Sequence, residues 1–343
     1  MFIIKKIQLS FFLFEYRSTF YIILLYKIMT TNICKSEFPF EKIKNNFSFN
    51  KNDKSGLINL FLLSMSGILG ISSVIQRNNY YLYGGCAFAS FGAFAVRIYK
   101  NPIEALYMMS AILTLGIRTP EFLDKDSYFP KNHVFEDPTN FEALKNEVVS
   151  ILAKTENGDK LKMTSETFSG QNKYIGSDII RENDKIKAWR IINLKVGDEY
   201  SSDANKHFPA LVQLLKNIPE VCSCSISVLQ EGVHIPIHVG YYKGIMRYMI
   251  PIIVPKDREN VFLCVNELKY SWTEGVGVLW DDTYPHKVYN NTNEIRVVIY
   301  MDVVRPLPGI LNVMNRFILW LASNSKIVKD EIKKTEIQVK NEA

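Results

Sequence analysis

The chain has 343 residues, of which 47% are hydrophobic and 22% charged, enough for one sizeable folded domain and an appendage. Its net charge of +6 is spread along the sequence without an aromatic-studded basic stripe, which argues against a nucleic-acid partner and favours an anionic membrane surface. The five cysteines are odd in number and lack metal-ligand spacing, so no disulfide framework is predicted.

The N-terminal third predicts a membrane attachment. Residues 1–56 combine charge-interrupted apolar clusters with an Asn- and Lys-rich stretch, and we interpret them as a leader and linker. Residues 57–75 and 78–96 are two uncharged runs, each about as long as a bilayer core requires. Residues 57–117 are therefore predicted as a transmembrane hairpin followed by a short helix that begins at Pro102. A buried soluble hairpin is the alternative.

Charge around the two runs predicts their orientation. Basic residues on the outer flanks outnumber Arg77, which lies between the runs, so the positive-inside rule predicts an intracellular membrane protein whose C-terminal part is cytoplasmic. A third crossing would make that part lumenal. The polar residues 118–140, with Pro120, Pro130 and Pro138, predict a linker.

The remaining chain predicts a mainly β domain over residues 141–310. Apolar residues recur at helical spacing in 141–152 and 208–215, and short β-rich runs alternate with turn signals from residue 222 onward. This pattern is typical of a double-stranded β-helix, or jelly roll, with flanking helices. Residues 311–343 are predicted as a C-terminal helix and a charged tail. That helix would have Asn315 and Arg316 on its wet side and would dock on the barrel or on the membrane.

Two segments of this domain carry a histidine followed by an arginine: His238 precedes Arg247, and His286 precedes Arg296. Neutral imidazole is a common ligand of iron and zinc, and an arginine fork matches a carboxylate. Arg247, Arg296 and Ser227 each stand on an otherwise apolar strand, which is costly unless the side chain faces a site. We interpret the histidines as metal ligands and the arginines as holders of an anionic cosubstrate.

These residues lie in four segments that resemble the aspartyl/asparaginyl beta-hydroxylase family, namely SVLQEGVHIPIH, YKGIMRY, WTEGVGVLWDDTYPHKVYNNT and EIRVVIYMDVVRPLP. The resemblance implies a jelly-roll oxygenase that depends on iron(II) and on 2-oxoglutarate as cosubstrate. It makes His238 and His286 the iron ligands, and Arg296 with Ser227 the holders of the distal carboxylate of 2-oxoglutarate. Arg247 would lie near the other carboxylate. Gly240 stands where the general class has a third, carboxylate ligand, which the resembled family does without.

The chain departs from the family pattern at Met249, where members commonly have a histidine, and at Val239 and Tyr241. Asp281 and Asp282 precede His286, and we expect them to be solvated at a strand end; the alternatives are a role as ligands or bases, or support of His286. His133, His207 and His234 receive no metal role. Trp189 is a candidate border of the site, while Trp272 and Trp280 are expected in the core.

The predicted function is that of a membrane-anchored dioxygenase that hydroxylates a protein Asp or Asn side chain or a lipid acyl chain. Two other functions stay open. The departures at Met249, Val239 and Tyr241 fit a non-catalytic membrane interaction protein that retains the jelly roll. The second alternative is a cupin-like barrel that uses another metal for hydrolysis, and the presence of both arginines argues against it.

Overall fold

The computed structural model describes residues 102–164, 179–182 and 185–334. The predicted leader and both uncharged runs lie outside these residues. The helices are α1 (Pro102–Gly116), α2 (Lys125–Tyr128), α3 (His133–Glu136), α4 (Pro138–Lys154), α5 (Ser202–His207), α6 (Pro209–Lys216), α7 (Ile310–Ser323) and α8 (Lys326–Lys334). The strands are β1 (Phe122–Leu123), β2 (Ile180–Glu182), β3 (Lys185–Lys187), β4 (Trp189–Val196), β5 (Glu199–Tyr200), β6 (Val221–Leu229), β7 (His234–His238), β8 (Ile245–Ile253), β9 (Val261–Val265), β10 (Leu268–Ser271), β11 (Val278–Trp280), β12 (His286–Asn290) and β13 (Arg296–Val304).

Two antiparallel sheets form the domain. The larger has the order β1-β11-β8-β13-β6-β4-β5, and the smaller has the order β10-β9-β12-β7. Strands β6 to β13 are distributed between the two sheets so that β6 pairs with β13 and β7 pairs with β12. This pairing of the first strand with the last, and of the second with the last but one, is the topology of a double-stranded β-helix. The predicted jelly roll is confirmed.

Strand alternation divides the larger sheet into two faces with separate cores. On the outer face, Ile226, Tyr248 and Ile299 pack in one buried cluster with apolar residues of α4 and α6. On the inner face, Leu229, Met249 and Val298 form a second cluster with residues of the smaller sheet. The helices thus cover the outer face of the larger sheet, and the interior of the barrel lies between the two sheets.

The two helices expected from apolar spacing are confirmed as α4 and α6. Asp137 caps α4 by accepting hydrogen bonds from the backbone N–H groups of Thr139 and Asn140, and Pro138 occupies the first turn, where its missing N–H costs nothing. The helix that was predicted to begin at Pro102 is α1. None of the helices within the described ranges is both long and apolar enough to cross a membrane.

Residues 118–140, which we expected to be a linker, contain ordered elements of the domain. Strand β1 pairs with β11 at the edge of the larger sheet. Phe129 and Phe135 are buried, and both rings contact Tyr248 on β8, at centroid distances of 5.3 and 6.1 Å. The polar residues and prolines of this stretch form short helices that surround two buried aromatic anchors.

Helix α7 matches the predicted C-terminal helix in position but not in orientation. Asn315, expected on the wet side, is buried. Its Nδ2 donates to the carbonyl oxygen of Gly244 at 2.8 Å, and its Oδ1 accepts from the Tyr242 hydroxyl at 2.8 Å. The expectation for Asn315 was wrong because a local apolar pattern does not reveal polar partners in a distant loop.

Candidate active site

His238 and His286 lie side by side at the end of the smaller sheet. Strands β7 and β12 pair so that the two residues are directly opposite each other, and their ring centroids are 4.0 Å apart. His286 is buried, whereas His238 is half-buried, so the pair can be reached from solvent on the His238 side. The structure therefore brings together the two histidines that sequence reasoning selected.

A β-bulge turns His238 toward the barrel interior. Between the pairs His286↔His238 and Val288↔Ile235, β7 contains one residue more than β12. Ile235 belongs to the interior cluster, and the extra residue places His238 on that same side. His234 points away, and its Nε2 lies 2.7 Å from Oδ1 of Asn291. The bulge includes Pro236, which has no N–H to lose from the ladder.

Both histidines are held in the same tautomer. Nδ1 of His238 is 2.8 Å from the carbonyl oxygen of Pro236, and Nδ1 of His286 is 2.8 Å from that of Tyr284. A carbonyl only accepts, so these contacts favour the tautomer in which Nδ1 carries the proton and Nε2 keeps its lone pair. Desolvation lowers the pKa of His238 to about 4 and that of His286 well below its usual value, so both rings are neutral at physiological pH. Neutral rings with a free Nε2 are the form that binds a metal.

Arg296 is a buried cation without an acidic partner among the residues that the structure describes. Its Nη1 donates to Oγ of Ser227 at 3.4 Å, and its guanidinium lies 5.4 Å from the ring centroid of Trp272. Ser227 Oγ also accepts from Nε1 of Trp189 at 2.9 Å, which places Trp189 at this site. Burial lowers the pKa of Arg296 to about 9, so the guanidinium is still charged at neutral pH. A buried, uncompensated charge is costly and points to an anionic ligand.

Arg247 differs from Arg296 because its charge is already compensated. Its Nη2 lies 2.8 Å from Oδ1 of Asp302 and 3.2 Å from Oδ2 of Asp282, and its guanidinium is 5.0 Å from the ring centroid of Tyr300. Burial alone would lower the pKa of Arg247, but the two carboxylates together raise it. The resemblance implied that this arginine lies near a cosubstrate carboxylate; in the structure it is first of all the partner of two aspartates.

Asp281 and Asp282, expected to be solvated, are both fully buried, so that expectation was wrong. Asp281 accepts from Nζ of Lys243 at 2.6 Å and from Nη2 of Arg305 at 2.7 Å. These cations outweigh the effect of burial and hold the pKa of Asp281 below its usual value. The resulting buried ion cluster anchors the loop that leads from β11 into His286.

Asp282 is placed against Gly240. A side chain at position 240 would collide with the Asp282 carboxylate, and the Gly240 N–H donates to the Asp282 carbonyl oxygen at 2.6 Å. The carboxylate thus fills the space that a carboxylate at position 240 would otherwise enter. Burial raises the pKa of Asp282 to about 6, although Arg247 opposes the rise. Sequence reasoning named Asp282 but expected it to be solvated; the signal for its position was a glycine two residues after one histidine together with an aspartate four residues before the other.

Unsatisfied buried polar atoms are concentrated at this site. Within the described ranges, the buried side-chain atoms without a hydrogen-bond partner are Nε of Arg296, Nε1 of Trp272, Nε1 of Trp280, both carboxylate oxygens of Asp282 and, away from the site, Nε2 of His207. The Trp280 ring packs 4.6 Å from that of His286. Native interiors leave few such groups unpaired, so three orphaned donors in one barrel indicate a ligand rich in acceptors.

The histidines stand as a pair. In the part of the chain that the structure describes, no three side chains among His, Cys, Asp and Glu are grouped so that they could hold a metal ion. Asp282 is therefore a neighbour of the pair and not a third ligand in this arrangement. Met249 is buried in the interior cluster, so its thioether faces the interior of the barrel. The two imidazoles fit a metal that takes its other ligands from cosubstrate and water.

Replacing Arg247 by methionine is expected to destabilise the domain strongly. The substitution would leave Asp282 and Asp302 buried without their shared cation. Breaking a buried ion pair from one side costs about 3–5 kcal/mol, so the urea midpoint should fall markedly. Adding Asp302→Asn should recover part of the loss, because it removes one of the stranded charges. An unchanged midpoint in Arg247→Met would contradict the pairing.

A family model described as aspartyl/asparaginyl beta-hydroxylase matches residues 138–306, about half of the chain. An ornithine lipid ester-linked acyl 2-hydroxylase from Rhizobium tropici is 30% identical over 161 residues, which cover 46% of this chain and 55% of that protein. The aspartyl/asparaginyl beta-hydroxylase of Homo sapiens is 27% identical over 123 residues, which cover 34% of this chain and 16% of that protein. The chain thus spans about half the length of the first relative and much less of the second.

Among solved structures, a prolyl-4-hydroxylase from Pseudomonas putida overlaps 49% of this chain and 88% of its own, with 11% identity and a TM-score of 0.31. The barrel is identified by its strand order and not by this overlap. The family model covers the strands that carry both histidines and both arginines, and the two relatives carry hydroxylase names of the same kind. Through residues 138–306, the chain belongs to the aspartyl/asparaginyl beta-hydroxylase family.

Proposed function

We propose that the chain is an iron(II)- and 2-oxoglutarate-dependent oxygenase that hydroxylates a C–H bond of its substrate. The observation that carries the proposal is Arg296, a buried guanidinium without an acid in the described residues, in the same barrel as two neutral histidines. A dicarboxylate cosubstrate would supply the missing anion. Iron(II), 2-oxoglutarate and dioxygen would together supply the oxidation of an unactivated C–H bond, a reaction that side chains alone do not perform.

Each residue of the site has a proposed role that follows from its contacts. His238 and His286 would hold iron through Nε2, because Nδ1 of each ring is bonded to a backbone carbonyl. Arg296 and Ser227 would bind the distal carboxylate of 2-oxoglutarate by charge-assisted hydrogen bonds. Arg247 would border the second carboxylate, but its charge is shared with Asp282 and Asp302, so we assign it to positioning the site and not to cosubstrate affinity.

The names of the two relatives are the basis for the substrate class that we propose. One relative is named as a lipid acyl hydroxylase and the other as a hydroxylase of aspartyl and asparaginyl residues. We propose that this chain acts on a lipid acyl chain or on a protein Asp or Asn side chain, and that it is anchored to a membrane by residues 57–96. The match to the lipid hydroxylase extends over more of this chain, which makes a lipid the first substrate to test.

The test is succinate formation from 2-oxoglutarate by the purified full chain with iron(II), ascorbate and oxygen. Total lipid extract and an Asp- and Asn-containing peptide mixture are supplied in separate reactions, and mass spectrometry follows the addition of one oxygen atom to either. The chain is expected to form succinate. Succinate formation should be faster in the reaction that contains a substrate which becomes hydroxylated than in a reaction without added substrate. His234→Ala, whose imidazole points away from the interior, is the control and should form succinate at the wild-type rate.

Iron binding without succinate formation under any of these conditions would overturn the proposal. That result would favour the non-catalytic membrane interaction protein, for which Met249 in place of the usual histidine is the relevant observation. Substrate hydrolysis with zinc or manganese, without a need for 2-oxoglutarate, would favour the hydrolase instead.

A further inference from the structure

Helix α7 presents its apolar side to the outside. Asn315 fixes its rotation through the hydrogen bonds to Gly244 and Tyr242, and Ile318 and Ala322 follow Asn315 on the buried side. A position 244 side chain would collide with both Asn315 and Tyr242, so the helix is seated directly on this loop. The polar side chain of Asn315 is therefore buried, and rotation of α7 about its axis would break the two hydrogen bonds of Asn315.

The outer side of α7 is a continuous apolar face. Ile310, Val313 and Trp320 are 69%, 62% and 53% exposed, and Met314 and Phe317 are exposed beside them. Their spacing of three and four residues places them along one stripe of the helix. The Phe317 and Trp320 rings stack at 5.8 Å. Arg316 is the one charged residue in the α7 sequence, ILNVMNRFILWLAS.

Single exposed apolar residues are ordinary, but a contiguous apolar patch marks an interaction surface. Helix α1, at the beginning of the longest N-terminal stretch that the structure describes, packs on the buried side of α7. Ala105 and Leu106 of α1 pack in one cluster with Ile318 and Ala322 of α7. In sequence, α1 follows directly on the uncharged runs 57–75 and 78–96, each long enough to cross a bilayer core. Helix α1 begins six residues after residue 96, so this step rests on the membrane anchor proposed above, which would keep α1 and α7 near the bilayer.

The composition of the α7 outer face fits a bilayer better than a second protein. Tryptophan is enriched at the level of the lipid headgroups, and an amphipathic helix in that plane buries its apolar side while basic residues remain at the surface. Arg316 is exposed on the same helix, next to the apolar stripe, where it would contact anionic headgroups. We propose that the outer face of α7 docks on the surface of a lipid bilayer.

This docking would also orient the candidate active site. Tyr107 of α1 donates to the carbonyl oxygen of Val239 at 3.3 Å, and Asn315 of α7 accepts from Tyr242. Val239 and Tyr242 both belong to the loop that follows His238. The helices next to the bilayer would thus hold the edge of the site against its surface.

Trp320 allows a direct test, because the other three tryptophans, Trp189, Trp272 and Trp280, are buried in the barrel. The full chain is reconstituted with vesicles of phosphatidylcholine and phosphatidylglycerol, with or without bromine on the acyl chains of the phosphatidylcholine. Brominated chains should quench the Trp320 share of the emission, and Trp320→Phe should remove that quenching. Val313→Glu should reduce the quenching by adding a charge to the docked face. Leu268→Glu, at a 50% exposed position on β10, should leave it unchanged.

Equal emission in plain and brominated vesicles would overturn the proposal, and so would quenching that survives Val313→Glu at the wild-type level. A detergent-solubilised dimer that Val313→Glu converts to a monomer, with Trp320 unquenched in vesicles, would assign the face to a second copy. Trp320→Phe is conservative at an exposed position, so the comparison does not depend on a variant that fails to fold.

Discussion

His238→Ala is expected to abolish iron(II) binding and succinate formation, and His286→Ala is expected to do the same. The two rings face each other across β7 and β12, and no third His, Cys, Asp or Glu completes a metal group with them in the described residues. A site with two protein ligands loses most of its affinity with either one. Iron content after dialysis, measured together with succinate formation, checks the prediction.

His234→Ala is the matched control, because it removes an imidazole from the same strand. His234 lies outside the barrel against Asn291 and Tyr289, since the bulge at Pro236 turns only His238 inward. We expect iron binding and turnover of His234→Ala to equal those of the wild type. If its iron content falls as far as that of His238→Ala, the ligand has been chosen wrongly within the HIPIH segment.

Much of the barrel was predictable because its strands follow the simplest pattern. Leu229 lies two residues from Ser227 and Val298 two residues from Arg296, so each pair shares one face of its strand, and Leu229 and Val298 belong to the interior cluster. The position of His238 was less predictable from this rule. Plain alternation places His234 and His238 on the same side, and only the bulge separates them.

The burial of Asp281, Asp282 and Asn315 could not be predicted from their neighbours in sequence. Asp281 and Asp282 form a polar pair after a strand, and Asn315 stands in a largely apolar helix, yet each is buried because its partners arrive from elsewhere. Lys243 and Arg305 surround Asp281, and the loop before β8 receives Asn315. Buried polar groups require such partners, but the requirement appears only once the fold has brought distant segments together.

The same limit explains residues 118–140. Three prolines and several charges are the usual composition of a linker. Phe129 and Phe135 lie among them, and their burial against Tyr248 makes the stretch part of the core. Two aromatic residues without helical or strand periodicity carry no local signal of burial, although their large apolar surface dominates the packing energy.

Arg296→Met is expected to weaken 2-oxoglutarate binding by about ten- to a hundredfold without lowering the stability of the protein. The affinity loss corresponds to one charge-assisted hydrogen bond, about 1.5–3 kcal/mol. Titration of 2-oxoglutarate into iron-loaded protein, followed by its charge-transfer absorbance, measures the affinity. Urea denaturation of the ligand-free protein measures the stability.

The stability result separates Arg296 from an ordinary structural arginine. In the ligand-free protein its guanidinium is buried without a described acid, held by Ser227 at 3.4 Å and by the face of Trp272. Methionine removes the desolvated charge and fills similar space, while the lost contact with the ring is worth about 0.5–2 kcal/mol. The urea midpoint should therefore stay level or rise, opposite to the fall expected for Arg247→Met. A large drop in stability with unchanged 2-oxoglutarate affinity would show that Arg296 serves the fold and not the cosubstrate.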